Sequence, residues 1–566
     1  MRGLVHRPAL AAAVICMLAP AAARAADPIM PLGDVQPGMR CTGLSVIHGT
    51  AISSFDVEVL DVLGAGQPQS ARIVVRASGA SVDATGLGPG FSGSPIYCTG
   101  ADGISRNIGA ISEGIGEYGN FTMLARPIEA ILSAPLEPVA TPLPVGARSL
   151  AGPLTISGVR PEFGRALARA ARRAGRTLVS SPAPPRVASA PVALVPGAAV
   201  SIGVTSGDIS VGTVGTVAYA DGDGVWVFGH EFEGSGRRSL FLQDAYIHAI
   251  IRNPVNAEDL STYKLASPGA DVGTVTGDAP TAVTGRIGAL PPSFPLRVTA
   301  RDLDTGQLLA SNTQIADEAD VGRPSGAGTL GLTSASAVAE AVTTLLNGGP
   351  ARQSGDMCVS IGLRELTRPA RFCNTYAVDG AGPNFLAGAL MADVGTAAAL
   401  LDTYRFAALH PTGVDIGIRV RRGNDQAFIV GATAPPAVRR GSTVTVRMRV
   451  RFAGSDRIRT RSIRVPIPLD IGTGTRTLRL TGTSEDAGAD PFDDSALVVL
   501  LDQAPGGAGE AGAKTPALLA KAIEAVHRDD RVRAKLGTVT RRIAARDGVR
   551  ISGQAQIRLR IRSGRG

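Results

Sequence analysis

From Val444 to Phe452 the chain alternates without a break: Val444, Val446, Met448, Val450 and Phe452 are separated by Thr445, Arg447, Arg449 and Arg451. Period-two alternation places the apolar set on one face of a β-strand and the polar set on the other, so such a stretch has no helical solution. Ile458 to Ile467 repeats the pattern, and Phe55, Val57 and Val59 alternate with Asp56 and Glu58. Shorter runs cover Cys41 to Val46 and Ile73 to Arg76. The 70 glycines and 38 prolines punctuate these runs, and with aromatic residues at only 4% the cores must be built from Ala, Val, Leu and Ile. The expected class is mainly β.

Met1 to Arg7 is a basic leader, Pro8 to Ala22 is apolar, and Ala23-Arg24-Ala25 supplies the small residues that a signal peptidase needs. This predicts a signal peptide over residues 1–25 and an exported chain, whether periplasmic, envelope-bound or extracellular. With Cys16 removed, four cysteines remain: Cys41, Cys98, Cys358 and Cys373. An even number in an exported protein points to disulfides, and proximity favours Cys41–Cys98 and Cys358–Cys373 over the other two pairings. No Cys-x-x-Cys run or close His/Cys spacing suggests a metal, so neither metal nor cofactor is expected. The net charge of +9 comes almost entirely from arginine, which favours anionic envelope surfaces as partners. The arginines alternate with apolar residues and lack aromatic interleaving, so nucleic-acid binding is not expected.

Thr85 to Tyr97 reads TGLGPGFSGSPIY, with Ser92 set between Gly90-Phe91 and Gly93. Gly/Ser/Pro clusters also make ordinary loops. A nucleophile on a tight turn needs such neighbours, however, because residues without a Cβ let backbone N–H groups converge on a developing oxyanion. Gly90 and Ser92 would supply those N–H groups. A second candidate lies at Val225-Trp226-Val227-Phe228-Gly229-His230, where a histidine ends an apolar strand behind a glycine. That setting suits a general base.

The Gly90 to Ile96 block, followed by a hairpin and by Ile108-Gly109-Ala110, resembles the nucleophile half of chymotrypsin-like serine peptidases. It is more similar still to the SpoIVB-type peptidase family, whose motif is Gly-Met-Ser-Gly-Ser-Pro-Ile; here Phe91 replaces the Met. The leader Pro37 to Val59 and the Phe228-Gly229-His230 strand end resemble the same family. The resemblance covers about residues 34 to 302 and implies a two-barrel serine peptidase with Ser92 as nucleophile and His230 as base. In the family the histidine precedes the serine, whereas here Ser92 comes first. Ala77 stands where the family has its aspartate; Asp83 lies close by, and Asp278, placed after His230 at a chymotrypsin-like distance, is the preferred candidate for the third member, with a Ser/His dyad as the alternative.

The expected organisation is a signal peptide (1–25), a nucleophile-bearing β-barrel (31–140), a solvated helix with a Pro/Ala/Ser linker (141–194) and a histidine-bearing β-barrel (195–312). A mixed helix/strand segment (313–412), an immunoglobulin-like β-sandwich (413–485) and a C-terminal helix/strand region (486–566) follow. The expected function is serine endopeptidase activity on a protein or peptide substrate, its own linker included. The rival expectation is an inactive exported scaffold, or envelope-binding module, that retains the peptidase fold.

Overall fold

The computed structural model describes residues 27–563 except 65, 116–120, 139–153, 182–189, 235, 253–261, 324–328, 348, 350, 380–384, 424–425, 483–496, 498–512, 527–530 and 545–548. The signal peptide, most of the Pro/Ala/Ser linker and the Gly506–Gly512 segment therefore lie outside the described residues. The chain is mainly β.

Strands β1 (Arg40–His48), β2 (Ala51–Leu63), β3 (Arg72–Ser78), β4 (Pro95–Thr99), β5 (Ser105–Gly114) and β6 (Thr122–Pro127) form a closed barrel in the order β1-β2-β3-β6-β5-β4. The alternation in β2 turns Phe55, Val57 and Val59 inward, where they share a core with Ile73, Val75 and Ile96. Cys41 and Cys98 face each other across the β1/β4 seam and are disulfide-bonded, with their Cα atoms 4.3 Å apart. The short helix α1 (Ile128–Leu132) leaves the barrel at its last strand.

The next elements are β7 (Leu154–Ser157), α2 (Pro161–Arg173), β8 (Leu178–Ser181), β9 (Ala199–Gly203), β10 (Thr205–Gly207), β11 (Ser210–Asp221), β12 (Gly224–Val227), β13 (Gly236–Arg252), β14 (Thr262–Ala279) and β15 (Ala282–Ile287). Strands β12-β15-β14-β13-β9-β11 close a second six-stranded barrel, because β11 pairs with both β9 and β12 along successive stretches. The expectation that the Arg160–Arg176 helix is solvated is corrected: in α2, Phe163, Ala166, Leu167, Ala170 and Ala171 are buried. Their spacing is an amphipathic stripe, and its alanines permit close packing.

The two barrels dock. Ala110, Ile128, Ile131 and Ala134 pack with Ala218, Tyr219, Trp226 and Ala282, and Gly49 bridges to Ile247.

Strands β16 (Ser293–Asp302) and β17 (Leu308–Ala316), helix α3 (Thr329–Leu345), strands β18 (Arg352–Leu363) and β19 (Ala370–Asp379), helix α4 (Phe385–Asp402) and strand β20 (Pro411–Arg421) follow. Together with β10 they build a six-stranded sheet, β10-β17-β16-β20-β18-β19, in which β16 and β20 run parallel. So β16 and β17 lie outside the histidine-bearing barrel, and β20 outside the sandwich module. Among the described residues the one extension of the second barrel's sheet is made at β11, where β7 pairs along Ser210–Gly212 and carries β8 with it. Cys358 and Cys373 sit opposite each other on β18 and β19 and form the second disulfide. By length and composition α4 is a candidate membrane span, but half of that span is buried inside the protein, and Leu386, Leu390 and Val394 share a core with α3.

The last sheet uses β21 (Gln426–Thr433), β22 (Ala437–Arg439), β23 (Thr443–Phe452), β24 (Ile458–Pro466) and β25 (Gly474–Thr481). After helix α5 (Pro516–Glu524) it adds β26 (Arg531–Leu536), β27 (Val539–Ala544) and β28 (Arg550–Arg562). The order is β24-β23-β21-β28-β25-β26-β27, so residues 413–485 do not complete it alone: the final strand inserts between β21 and β25. Val446, Met448, Leu478, Val532 and Leu559 meet in one core, and α5 packs elsewhere, against the core of the previous sheet.

Candidate active site

Ser92 lies on the turn between β3 and β4. Phe91 is fully buried in the first barrel's core and anchors the turn, while Ser92 is half-buried. Gly90 (φ 96°) and Gly93 (φ 91°) adopt left-handed backbone, and a Cβ at Gly93 would lie 1.9 Å from the Thr216 carbonyl oxygen. The sequence is therefore glycine because the turn presses on the second barrel. Thr216 N–H donates to the Ser92 carbonyl (2.9 Å), Thr216 Oγ1 to the Gly90 carbonyl (3.1 Å) and Lys264 N–H to the Pro89 carbonyl (3.0 Å).

Around Ser92 the N–H groups of Phe91, Gly93 and Ser94 are committed, to the carbonyls of Gly88, Ile111 and Phe91. Those of Gly90 and Ser92 donate to no protein group among the described residues, and Ser92 Oγ makes no hydrogen bond there either.

His230 follows β12 through two left-handed residues, Phe228 (φ 70°) and Gly229 (φ 70°). Phe228 is the one non-glycine residue with positive φ among the described residues. Such a conformation costs about 1–3 kcal/mol and persists where packing over-determines it. Here the Phe228 ring is buried and its N–H reaches the Thr216 carbonyl. The buried Arg126 of the first barrel donates from Nε to the Gly229 carbonyl (2.8 Å) and also meets Glu113 (3.4 Å). The His230 ring stacks on Phe228 with centroids 5.6 Å apart, and its Nδ1 lies 2.7 Å from the Glu231 carbonyl. A carbonyl only accepts, so Nδ1 carries the proton and Nε2 keeps its lone pair. Burial lowers the His230 pKa below 6.5, against the opposing pull of the Glu231 hydrogen bond.

Asp278 is buried, but it serves the main chain. Its carboxylate accepts the N–H groups of Phe232 and Glu233, both at 2.8 Å, and faces Arg238 at 3.6 Å. It thereby holds the turn that follows His230, and the ring's Nδ1 partner is the Glu231 carbonyl. The serine turn and His230 share Phe228 as a neighbour: Gly93 abuts its backbone nitrogen and His230 its ring. No hydrogen bond joins Ser92 to His230 among the described residues.

Sequence reasoning missed Lys264. Its side chain passes under Gly90, and Nζ donates to Ser45 Oγ (2.7 Å) and Thr216 Oγ1 (3.3 Å) while standing 4.4 Å from the Phe91 ring centre. Ser94 Oγ donates to the same Ser45 hydroxyl (2.9 Å), so Lys264 ties down both flanks of the turn. The available signal was usage: among 57 basic residues the only lysines are Lys264, Lys514, Lys521 and Lys535. A buried lysine can lose its proton where an arginine cannot.

Burial pushes the Lys264 amine down to about 7 from 10.5. Between those values the unfolded chain binds more protons than the folded one, so this group makes stability rise with pH by about 1.4 kcal/mol per unit. Below about pH 7 its full penalty applies. Lys264→Met is therefore expected to stabilise the protein at pH 7 and to flatten the pH 7–10 stability profile in urea melts. Equal slopes in variant and wild type would contradict this account.

No group of three or more His, Cys, Asp or Glu side chains suited to a metal occurs among the described residues. Comparison with protein-family models, curated proteins and solved structures finds no match to this chain.

Proposed function

We propose that this chain is an exported serine endopeptidase of the SpoIVB type, with the nucleophile on the first barrel and the base on the second. The observation that carries the reading is the pair of uncommitted N–H groups, Gly90 and Ser92, beside an uncommitted Ser92 hydroxyl. In the proposed reaction His230 Nε2 takes the Ser92 proton as Oγ attacks the scissile carbonyl. The two N–H groups hold the oxyanion, and the imidazolium returns the proton to the departing amine. Water then releases the acyl group by the same steps in reverse. The Glu231 carbonyl does the orienting that an aspartate does in a full triad, and Asp278 acts one step removed. Catalytic hydrogen bonds often tighten only once substrate is bound, so His230 and Ser92 are to close on the peptide. The two disulfides fit an oxidising compartment. The same proposal covers the fold names: chymotrypsin-like for the paired barrels, immunoglobulin-like for the arginine-faced sheet.

The test is covalent labelling of the purified protein by a fluorophosphonate probe. Wild type is expected to label and Ser92→Ala to remain unlabelled. If the chain shortens on standing and Ser92→Ala does not, the linker is a substrate. A second reading, an inactive scaffold that keeps the fold, is favoured by the missing Ser92–His230 hydrogen bond. Folded wild type that resists the probe would establish that second reading instead.

A further inference from the structure

The last sheet carries a cationic track on its outer face. In β26 the buried Val532, Ala534 and Leu536 alternate with the outward Arg531, Arg533 and Lys535. Strand register carries the charge sideways: Lys535 lies opposite Arg479 on β25, and Arg558 and Arg560 of β28 lie opposite Thr477 and Thr475. None of Arg479, Arg533, Lys535, Arg558 and Arg560 is ion-paired among the described residues. The residues between the cations are Thr475, Thr477, Thr481, Gln554 and Gln556, which offer hydroxyl and amide groups and no aromatic ring.

At its β26 end the track enters a cavity of about 730 Å³ between β19 and α5. Arg531 belongs to both, and Arg368, Arg371 and Lys521 add three more cations to the lining. Among the described residues the one acid there, Glu524, is ion-paired with Arg368 at 3.4 Å.

We propose that this track binds an extended carboxylated polysaccharide, with one end of the polymer held in the cavity. Guanidinium forks match carboxylates in geometry and charge, and the interleaved Thr and Gln side chains suit sugar hydroxyls. Single-stranded nucleic acid calls for aromatic stacking platforms, which the face lacks. A bilayer is flat, whereas this track runs into a cavity. The inference is independent of the peptidase reading.

The probe is fluorescent oligogalacturonate, titrated against the full chain at low and at physiological ionic strength. Arg479→Glu/Lys535→Glu/Arg558→Glu is expected to weaken binding about tenfold or more, and added salt to weaken wild-type binding. Arg447→Glu/Arg449→Glu/Arg451→Glu makes the same charge change on β23, away from the track, and is expected to bind like wild type. Equal losses in both variants would reduce the effect to net charge and overturn the site. Tighter binding of oligo-dT, or of phosphatidylglycerol vesicles, would overturn the polysaccharide. A footprint on wild type needs no variant: with oligogalacturonate bound, acetylation of Lys521 and Lys535 is expected to fall while that of the exposed Lys514 is unchanged. Uniform protection, or none, would count against the track.

Discussion

His230→Ala is expected to slow fluorophosphonate labelling of Ser92 by about a thousandfold or more, because the serine hydroxyl loses the group that takes its proton. The wild-type rate should depend on pH through the neutral imidazole, which is the active form above its pKa. Burial lowers that pKa below 6.5, so the midpoint of the rate profile should lie on the acid side of 6.5. Added imidazole should restore part of the variant's rate, since a small base can occupy the vacated space. An unchanged rate in His230→Ala, or a midpoint above 6.5, would remove His230 from the mechanism. The outcome separates His230 from Asp278, because Asp278→Asn keeps the ring, its Nδ1 partner and therefore the pH midpoint.

Arg238→Met should be the most destabilising single substitution in the second barrel. Arg238 is buried and bonds Glu318 through Nε (2.8 Å) and Glu233 through Nη1 (2.8 Å), with Asp278 at 3.6 Å. Removing the cation leaves Glu318 and Asp278 buried without their hydrogen-bonded partner and with Arg323 as the remaining nearby cation, a loss of about 3 kcal/mol at neutral pH. Arg238 holds the Glu318 carboxyl below 4.5 despite burial that pushes the other way. A depressed carboxylate contributes stability above its unfolded pKa and loses it as pH falls through the folded one. The gap between Arg238→Met and wild type should therefore narrow toward pH 4, and Glu318→Gln in the variant background should recover part of the loss at pH 7. Trp226, the chain's one tryptophan, sits in β12 at the seam between the barrels and reports the transition by fluorescence. A pH-independent loss, or one under about 1 kcal/mol, would show that the network is better solvated than its burial implies.

Strand content was legible wherever one face is wet, as at Val444–Phe452 and Phe55–Val59, because burial imposes period two on the residues themselves. Both disulfides were legible because each joins cysteines nearer in the chain than the other pairings would, and the fold sets each pair directly opposite on neighbouring strands. Partnership between distant strands was not. Nothing local in Val414–Val420 distinguishes pairing in parallel with β16 from joining the arginine-rich strands that follow, since either sheet buries the same side. The apolar stripe of α2 was obscured because alanine weighs little in composition yet packs closely. At the site, Ser92 and His230 announced themselves through glycine, which marks unusual backbone. Lys264 did not: in Thr262-Tyr263-Lys264-Leu265 it looks like a strand's solvent-facing position. Its burial comes from a turn about 170 residues earlier in the chain that the fold lays over it.

The hydrogen bond from Thr216 to the Gly90 carbonyl spans 126 residues. A chain that emerges from its N-terminus exposes the serine turn long before Thr216, His230 and Lys264 exist to brace or activate it. The first barrel can close on its own strands and its own disulfide while the serine stays inert. On the proposed reading, competence would then arrive late, timed by the docking of the second barrel, and the order of synthesis would do what a removable pro-segment does elsewhere.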